Sequence, residues 1–328
     1  MKLVRVLLLL LGVVLLGVLV ARNDPAEIFA SLGRLSWKLG ILVCFPFSLV
    51  TIFDTLGWRF AFGHDRVAFR TLLGARLAGE AFNLTTPTAA LGGEAVKTWL
   101  LRGHAPLDET LSSVIVAKTT ILIAQGIFFT LGIALAGLSV LPDSPLLRGM
   151  LWLLLLEILA LAGFVVAQTQ GLFGWGQRLL QQFNLRPPGS GETLRRVDDG
   201  LASFYRRQPR RLVLSIGFHL VAWVLGSVEA YLTLRFLGVD VSLTTATVIE
   251  AFGTAVRFAT FMVPASLGVL EGGYVVTFSA LGLASSTGVS FGLTRRVREF
   301  VWVGAGLIVF AVMRVKPSGK NFASPTSP

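Results

Sequence analysis

The sequence predicts an all-α membrane protein: a polytopic helix bundle of about six full spans plus two re-entrant or broken-helix hairpins that form an inverted repeat. Three observations carry this reading. Hydrophobic residues make up 54% of the 328 and charged residues only 14%, against about 25% charged in an average soluble domain. Several apolar runs reach the roughly 20 residues that cross a bilayer as a helix, and lipid offers backbone groups no water, so the spans must be helical. Two further apolar segments are each interrupted by Pro and Gly and each carry charge. Paired broken segments of that kind in the two halves of a chain point to a transporter's central site.

The elements follow in order. Lys2 and Arg5 precede an apolar run at 4–21 that looks like a signal peptide, but its exit at 18–22 lacks a small-x-small pattern, so it reads as a retained first helix. The run 39–58 is the second span and holds Cys44, the one cysteine, which excludes an internal disulfide and reads as a small core residue. The first broken segment, 71–102, contains Pro87, Gly92, Gly93, Glu94 and Lys97. Spans at 112–140 and 150–168 come next. The loop 169–211 places Leu194, Val197, Leu201 and Phe204 near helical spacing among arginines. It is either a basic amphipathic helix on the anionic inner leaflet or a solvated topogenic loop. A span at 212–236 leads to the second broken segment, 245–282, with Pro264, Gly268, Glu271, Gly272 and Gly273, and a last span covers 287–313. Residues 1–315 thus form one integral membrane domain, and the Pro- and Ser-rich tail 316–328 is expected to be a disordered cytoplasmic tail.

Charge orients the bundle. With six crossings and a cytoplasmic N-terminus, 17 of the 29 Lys and Arg residues fall inside and 5 outside, as the positive-inside rule requires. The net charge of +11 is therefore topological, and nucleic-acid binding is a poor reading of it. Three spans separate the broken segments, so the first enters from the cytoplasmic side and the second from the outer side. At an offset of 177 residues Pro87, Thr110, Ser113, Glu94 and Lys118 match Pro264, Thr287, Ser290, Glu271 and Arg295. The common feature is a Pro seven residues before a Glu, with a base 24 residues beyond.

Ionisable groups at bilayer depth cost several kcal/mol unless paired or wet, so each is a functional hypothesis. The set is Arg76, Glu80, Glu94, Lys97, Lys118, Glu157, His219, Glu229, Glu250, Arg257, Glu271, Arg295, Arg296, Arg298 and Glu299. Lys97, Lys118, Arg257 and Arg295 are expected to converge on an anion, with half-helix N-termini at Gly92-Gly93 and Gly268 aimed at the same place. Glu94 and Glu271 gate that site, pair with its bases when it is empty, or relay protons. The plainer reading is ion pairing alone, Lys97 with Glu94 or Arg295 with Glu299. Glu157 must be neutral or paired, with His219 or Arg257 as partners. No nucleotide loop, metal-ligand spacing or nucleophile elbow is present, so no cofactor, no metal and no catalysis are expected.

Pro87 to Lys97 resembles the P-x(3)-L-G-G-[DE]-x-[VIL]-[RK] signature of the flippase-like membrane domain of lysylphosphatidylglycerol synthases, and Pro264 to Gly272 resembles that family's second signature, P-x(2)-L-G-V-x-E-G. Arg295 stands where the family tends to place a base. The likeness covers about residues 5–315 and extends to a stand-alone branch associated with hopanoid-producing bacteria. It implies movement of a lipid between leaflets of the inner membrane. With no transferase domain expected here, synthesis of the aminoacylated lipid is not implied. Lys97 replaces the Arg of many relatives, which keeps the charge and loses a two-point phosphate contact. The expected partners are membrane lipids with an anionic or polar headgroup. The alternatives are a secondary transporter for a small anion and a scaffold recruiting lipid-biosynthesis enzymes through the basic loop.

Overall fold

A computed structural model describes residues 2–86, 91–138, 144–169, 171, 191–261 and 263–315, and they are helical throughout, with no strand among them. Pro87 and the tail 316–328 lie outside the described residues, as does most of the first part of the basic loop.

Twelve helices are described, and they fall into two sets of six. The first set is α1 (Lys2–Arg22), α2 (Pro25–Gly33), α3 (Lys38–Ala61), α4 (Phe69–Thr85), α5 (Leu91–Leu101) and α6 (Leu107–Gly137). The second is α7 (Pro145–Thr169), α8 (Gly191–Arg207), α9 (Pro209–Phe236), α10 (Leu243–Ala259), α11 (Val269–Ala280) and α12 (Ser285–Val315). Long apolar helices α3, α6, α7 and α9 have the length and composition of spans. The predicted spans all fall on helices. The broken segments become the short pairs α4–α5 and α10–α11, each followed by a 31-residue helix.

The packing repeats with the sequence. Helix α3 lies on its counterpart α9, α4 packs on α12, and α10 packs on α6, the exchanged pair. Two apolar clusters repeat likewise. One joins the C-terminal end of α3 and the N-terminal end of α6 to α8, through Trp58, Phe62, Val114, Val197, Leu201 and Phe204. The other joins the C-terminal end of α9 and the N-terminal end of α12 through Leu234, Leu237, Tyr274 and Phe291, with Leu35 and Leu42 from the chain around α2 and α3.

Two expectations are corrected here. Helix α8 is amphipathic, but Val197 and Leu201 are fully buried and Ser112 on α6 donates to the Val197 carbonyl at 3.3 Å. Its apolar face is covered by protein rather than by acyl chains. Cys44 is exposed on α3 instead of lying in the core, because in a bilayer bundle an apolar side chain satisfies lipid as readily as it satisfies the interior. At the start of α9, Arg211 donates to the carbonyls of Phe62 and Arg59 at 2.7 and 3.0 Å and to Asp65 at 2.7 Å. That satisfies open acceptors at the end of α3, and the hydrogen bond from Arg211 holds the Asp65 carboxyl below its usual range.

Candidate functional site

Each broken hairpin gathers a network of buried charge. In the first, Gly79 on α4 and Gly93 on α5 let the two half-helices approach so closely that a methyl group on Gly79 would stand 2.6 Å from Lys97 and 2.9 Å from the Gly93 carbonyl. Asn83 accepts from the Gly93 N–H at 2.8 Å and so caps the second half-helix. Lys97 donates to Glu80 at 3.2 Å and to Glu94 at 3.1 and 3.2 Å, with its ammonium 5.8 Å from the Trp58 ring. Lys118 on α6 reaches Glu94 at 3.4 Å. Arg76 donates to Asp54 on α3 at 2.6 Å, and Asp54 also holds the Nδ1 of His219 on α9 at 2.7 Å.

These groups surround a small, partly open pocket. Its polar lining is Arg76, Glu80, Glu94, Lys97, Lys118 and His219, and Trp58, Val114, Ala117 and Ile121 supply the apolar wall. The side chains of Lys118 and Glu80 are 40% and 45% exposed. The pocket therefore offers one cation and one carboxylate to a ligand, above a set of buried pairs.

The second hairpin is organised differently. The break between α10 and α11 has Ala265 and Ser266 in left-handed backbone at φ 51° and 50°, followed by Gly268 at φ 76°. Side chains with a Cβ resist that conformation, and Arg296 holds it in place by donating to the Ala265 carbonyl at 2.7 Å. The same guanidinium donates to Glu271 at 2.7 Å and to Glu299 at 2.9 Å. Glu271 in turn accepts from the Gly268 N–H at 2.8 Å. Arg257 donates to Glu299 at 2.7 Å. Arg295 pairs with Glu250, Arg298 pairs with Glu229, and the Tyr274 hydroxyl accepts from Arg295 at 3.0 Å.

The predicted site residues are thus divided. Lys97, Lys118 and Glu94 meet in the first network, while Arg257, Arg295 and Glu271 belong to the second. No ion pair or hydrogen bond joins the two among the described residues. Convergence of all four bases on one anion is not what the structure shows. The half-helix N-termini do not stand open as expected either, since Asn83 takes the Gly93 N–H and Glu271 takes that of Gly268. Arg295 pairs with Glu250 rather than Glu299. Glu157 pairs with neither His219 nor Arg257: both its oxygens are buried without a hydrogen-bond partner, because His219 and Arg257 are taken by Asp54 and Glu299.

Charge balances within each network. The first contains Arg76, Lys97 and Lys118 with Asp54, Glu80 and Glu94, and the second four arginines with four glutamates. Neutrality lets so many ionisable groups sit at membrane depth, since removing one partner of a buried pair costs about 3–5 kcal/mol. The networks differ in access. At positions equivalent to the pocket wall, Val114 and Ala117 become Phe291 and Thr294. The Phe291 ring packs 4.9 Å from Tyr274 and lies 4.8 Å from the Arg295 guanidinium, which fills the corresponding space. Arg295 is 7% exposed and Glu271 is fully buried, while Arg257 of the same network is 37% exposed.

Sequence reasoning missed Asp54, Trp58 and Tyr274. Asp54 is the lone acid in the run 39–58 and would have been found by the rule that flagged Glu157.

Comparison with known proteins follows the same outline. Residues 3–307 match the family described as lysylphosphatidylglycerol synthase TM region. The chain is similar to a UPF0104 membrane protein of Methanothermobacter thermautotrophicus, with 25% identity over 93% of this chain and 94% of that protein. No solved structure matches it.

Proposed function

We propose, on the premise that this chain belongs to the lysylphosphatidylglycerol synthase TM region family, that it is a lipid translocase of the cytoplasmic membrane and not an enzyme. A polar, phosphate-bearing headgroup enters the pocket beside the first broken hairpin while the acyl tails stay in lipid. The observation that carries this reading is the pocket itself. A small, partly open pocket among otherwise paired charges has an apolar wall and exposes Lys118 and Glu80.

The chemistry is exchange of partners. Lys118 is held by a single long contact to Glu94, so a phosphate oxygen can replace that carboxylate as its counter-ion. Glu94 keeps Lys97, and when the headgroup leaves it recovers Lys118. The empty site thus returns to a neutral, low-energy state. Glu271 has the equivalent duty in the second half through Arg296. Both termini lie on the cytoplasmic side, in keeping with the charge of the loops.

The test is lipid scrambling in liposomes of defined composition. Wild-type protein should equilibrate fluorescent phospholipids between leaflets, and Lys97→Ala and Arg295→Ala should slow it at least about tenfold, with folding checked by thermal unfolding in detergent. Wild-type protein inert toward every polar lipid offered, or variants as fast as wild type, would reject the proposal. Uptake of inorganic phosphate without lipid movement would assign the pocket to a soluble anion instead.

A further inference from the structure

Among the described residues that line the pocket, His219 is the one with a buried polar atom that has no hydrogen-bond partner. Its ring is 1% exposed, its Nδ1 is 2.7 Å from Asp54 Oδ1, and its Nε2 is buried with no hydrogen-bond partner. Asp54 is fixed from its other oxygen by Arg76 at 2.6 Å. A carboxylate held by a guanidinium accepts and does not donate, so the histidine proton facing it sits on Nδ1. That commits one nitrogen and leaves Nε2 as the ring's remaining hydrogen-bonding position. A buried polar atom of this kind calls for an explanation, and here the ring lines a cavity. The site is also made to fit: α3 has Gly57 where any Cβ would lie 2.6 Å from Nε2 and Cε1. Of the other charged groups of the pocket, Glu94 and Lys97 are paired and mostly buried, while Glu80 and Lys118 are paired but remain 45% and 40% exposed.

We infer that His219 Nε2 reads the headgroup: it accepts a hydrogen bond from a proton donor that the lipid carries beyond its phosphate, while Lys118 takes the phosphate. Asp54 is the positioning residue that keeps the accepting nitrogen turned to the ligand. The ligand class is therefore a phosphodiester lipid whose headgroup ends in a hydroxyl or an ammonium. An ester ending in a bare alkyl group would form no bond to Nε2 and gain nothing from it. A site built to bond such a group discriminates strongly against the analogue that lacks it. This inference rests on the lipid-translocase reading, and it is separable from it because it concerns binding.

The experiment is titration of the detergent-purified full chain with short-chain phosphatidylglycerol, phosphatidylethanolamine and phosphatidylethanol. The first two bear a hydroxyl and an ammonium donor, and the third bears neither. Wild-type protein should prefer a donor-bearing lipid to phosphatidylethanol by at least about tenfold, and the stronger of the two shows which donor the site takes. His219→Phe should bring the affinities together. His219→Gln, which retains an acceptor, should keep part of the preference, and Asp54→Asn should reduce the preference more than it reduces affinity for phosphatidylethanol. Equal binding of all three by wild-type protein overturns the inference, even where His219→Phe fails to fold. An unchanged preference in His219→Phe overturns it too. A preference without any scrambling would keep the inference and sink the translocase, scrambling without preference would do the reverse, and no lipid binding at all would sink both.

Discussion

At the residue scale, the charges inside this bundle are of two kinds, and the difference predicts which substitutions matter. Most are paired, and truncating one partner strands the other. Glu157 is unlike them. It is 1% exposed, and neither oxygen has a partner. An unsatisfied buried polar group contributes nothing that an apolar group of the same shape would not. Glu157→Leu should therefore leave the unfolding temperature in detergent unchanged or higher by a few degrees, with scrambling retained. Loss of more than about 2 kcal/mol in denaturant unfolding would mean that the carboxyl has a partner after all. Gly57 makes the opposite case. A methyl group there meets a ring pinned by Asp54 from the far side, so neither element can yield. Gly57→Ala should cost about 1–3 kcal/mol, and a His219→Ala change in the same chain should recover much of it. Absence of that rescue, seen in a double-mutant cycle, would show that the clash is relieved elsewhere.

At the element scale, the second break is a strained turn held by one side chain. Arg296 contributes a rigid fork that reaches Glu271, Glu299 and the Ala265 carbonyl together, and a lysine ammonium is a point charge that cannot span the three. Arg296→Lys should destabilise the fold by about 2–4 kcal/mol despite its unchanged charge; equal stability in denaturant unfolding would show that the turn needs no guanidinium. Helix α8 offers a parallel case. Leu201 is wholly buried against the bundle, so Leu201→Asp should abolish folding. The double change Arg206→Gln, Arg207→Gln on its exposed side should leave thermal unfolding within a degree or two. The spans were legible from length and apolarity alone, since a bilayer imposes both. Helix α2, with nine residues, was too short to show that signal. The docking of α8 and the exposure of Cys44 were not legible for another reason: an apolar face says only that it avoids water, and both lipid and protein provide that. In the site, local spacing of Pro, Glu and base found Glu94, Lys97, Lys118, Glu271 and Arg295. Their partners were misassigned wherever the pairing crosses from one helix to a distant one, as in Arg295 with Glu250 and His219 with Asp54. Such pairings depend on the packing of α3 on α9 and of both α10 and α12 on α11, which no local period encodes.

At the scale of the whole molecule, two halves with the same helices in the same order hold the same kind of network in two conditions, the first with Lys118 and Glu80 exposed and the second with Arg257 alone partly exposed. On the topology the sequence predicts, three spans separate the hairpins, which would give the halves opposite orientation. In such an arrangement the two conditions can exchange, and exchange moves the opening from one face of the membrane to the other. Ala117 lines the open pocket and its equivalent at the 177-residue offset, Thr294, is 2% exposed; neither makes an ion pair, so both can report without breaking a network. With Cys44, the one exposed native thiol, changed to Ser, Ala117→Cys should react with a membrane-impermeant maleimide from the cytoplasmic side in the absence of added lipid. Thr294→Cys should stay protected. During scrambling, reactivity at Thr294→Cys should rise from the outer side while that at Ala117→Cys falls. The rise is the discriminating result. If the second network is a permanent anchor, with Phe291 and Tyr274 packed around Arg295 in every state, Thr294→Cys remains protected however fast lipid moves. Transport would then have to run through the first hairpin alone, and the repeat would be a feature of the fold without a part in the cycle.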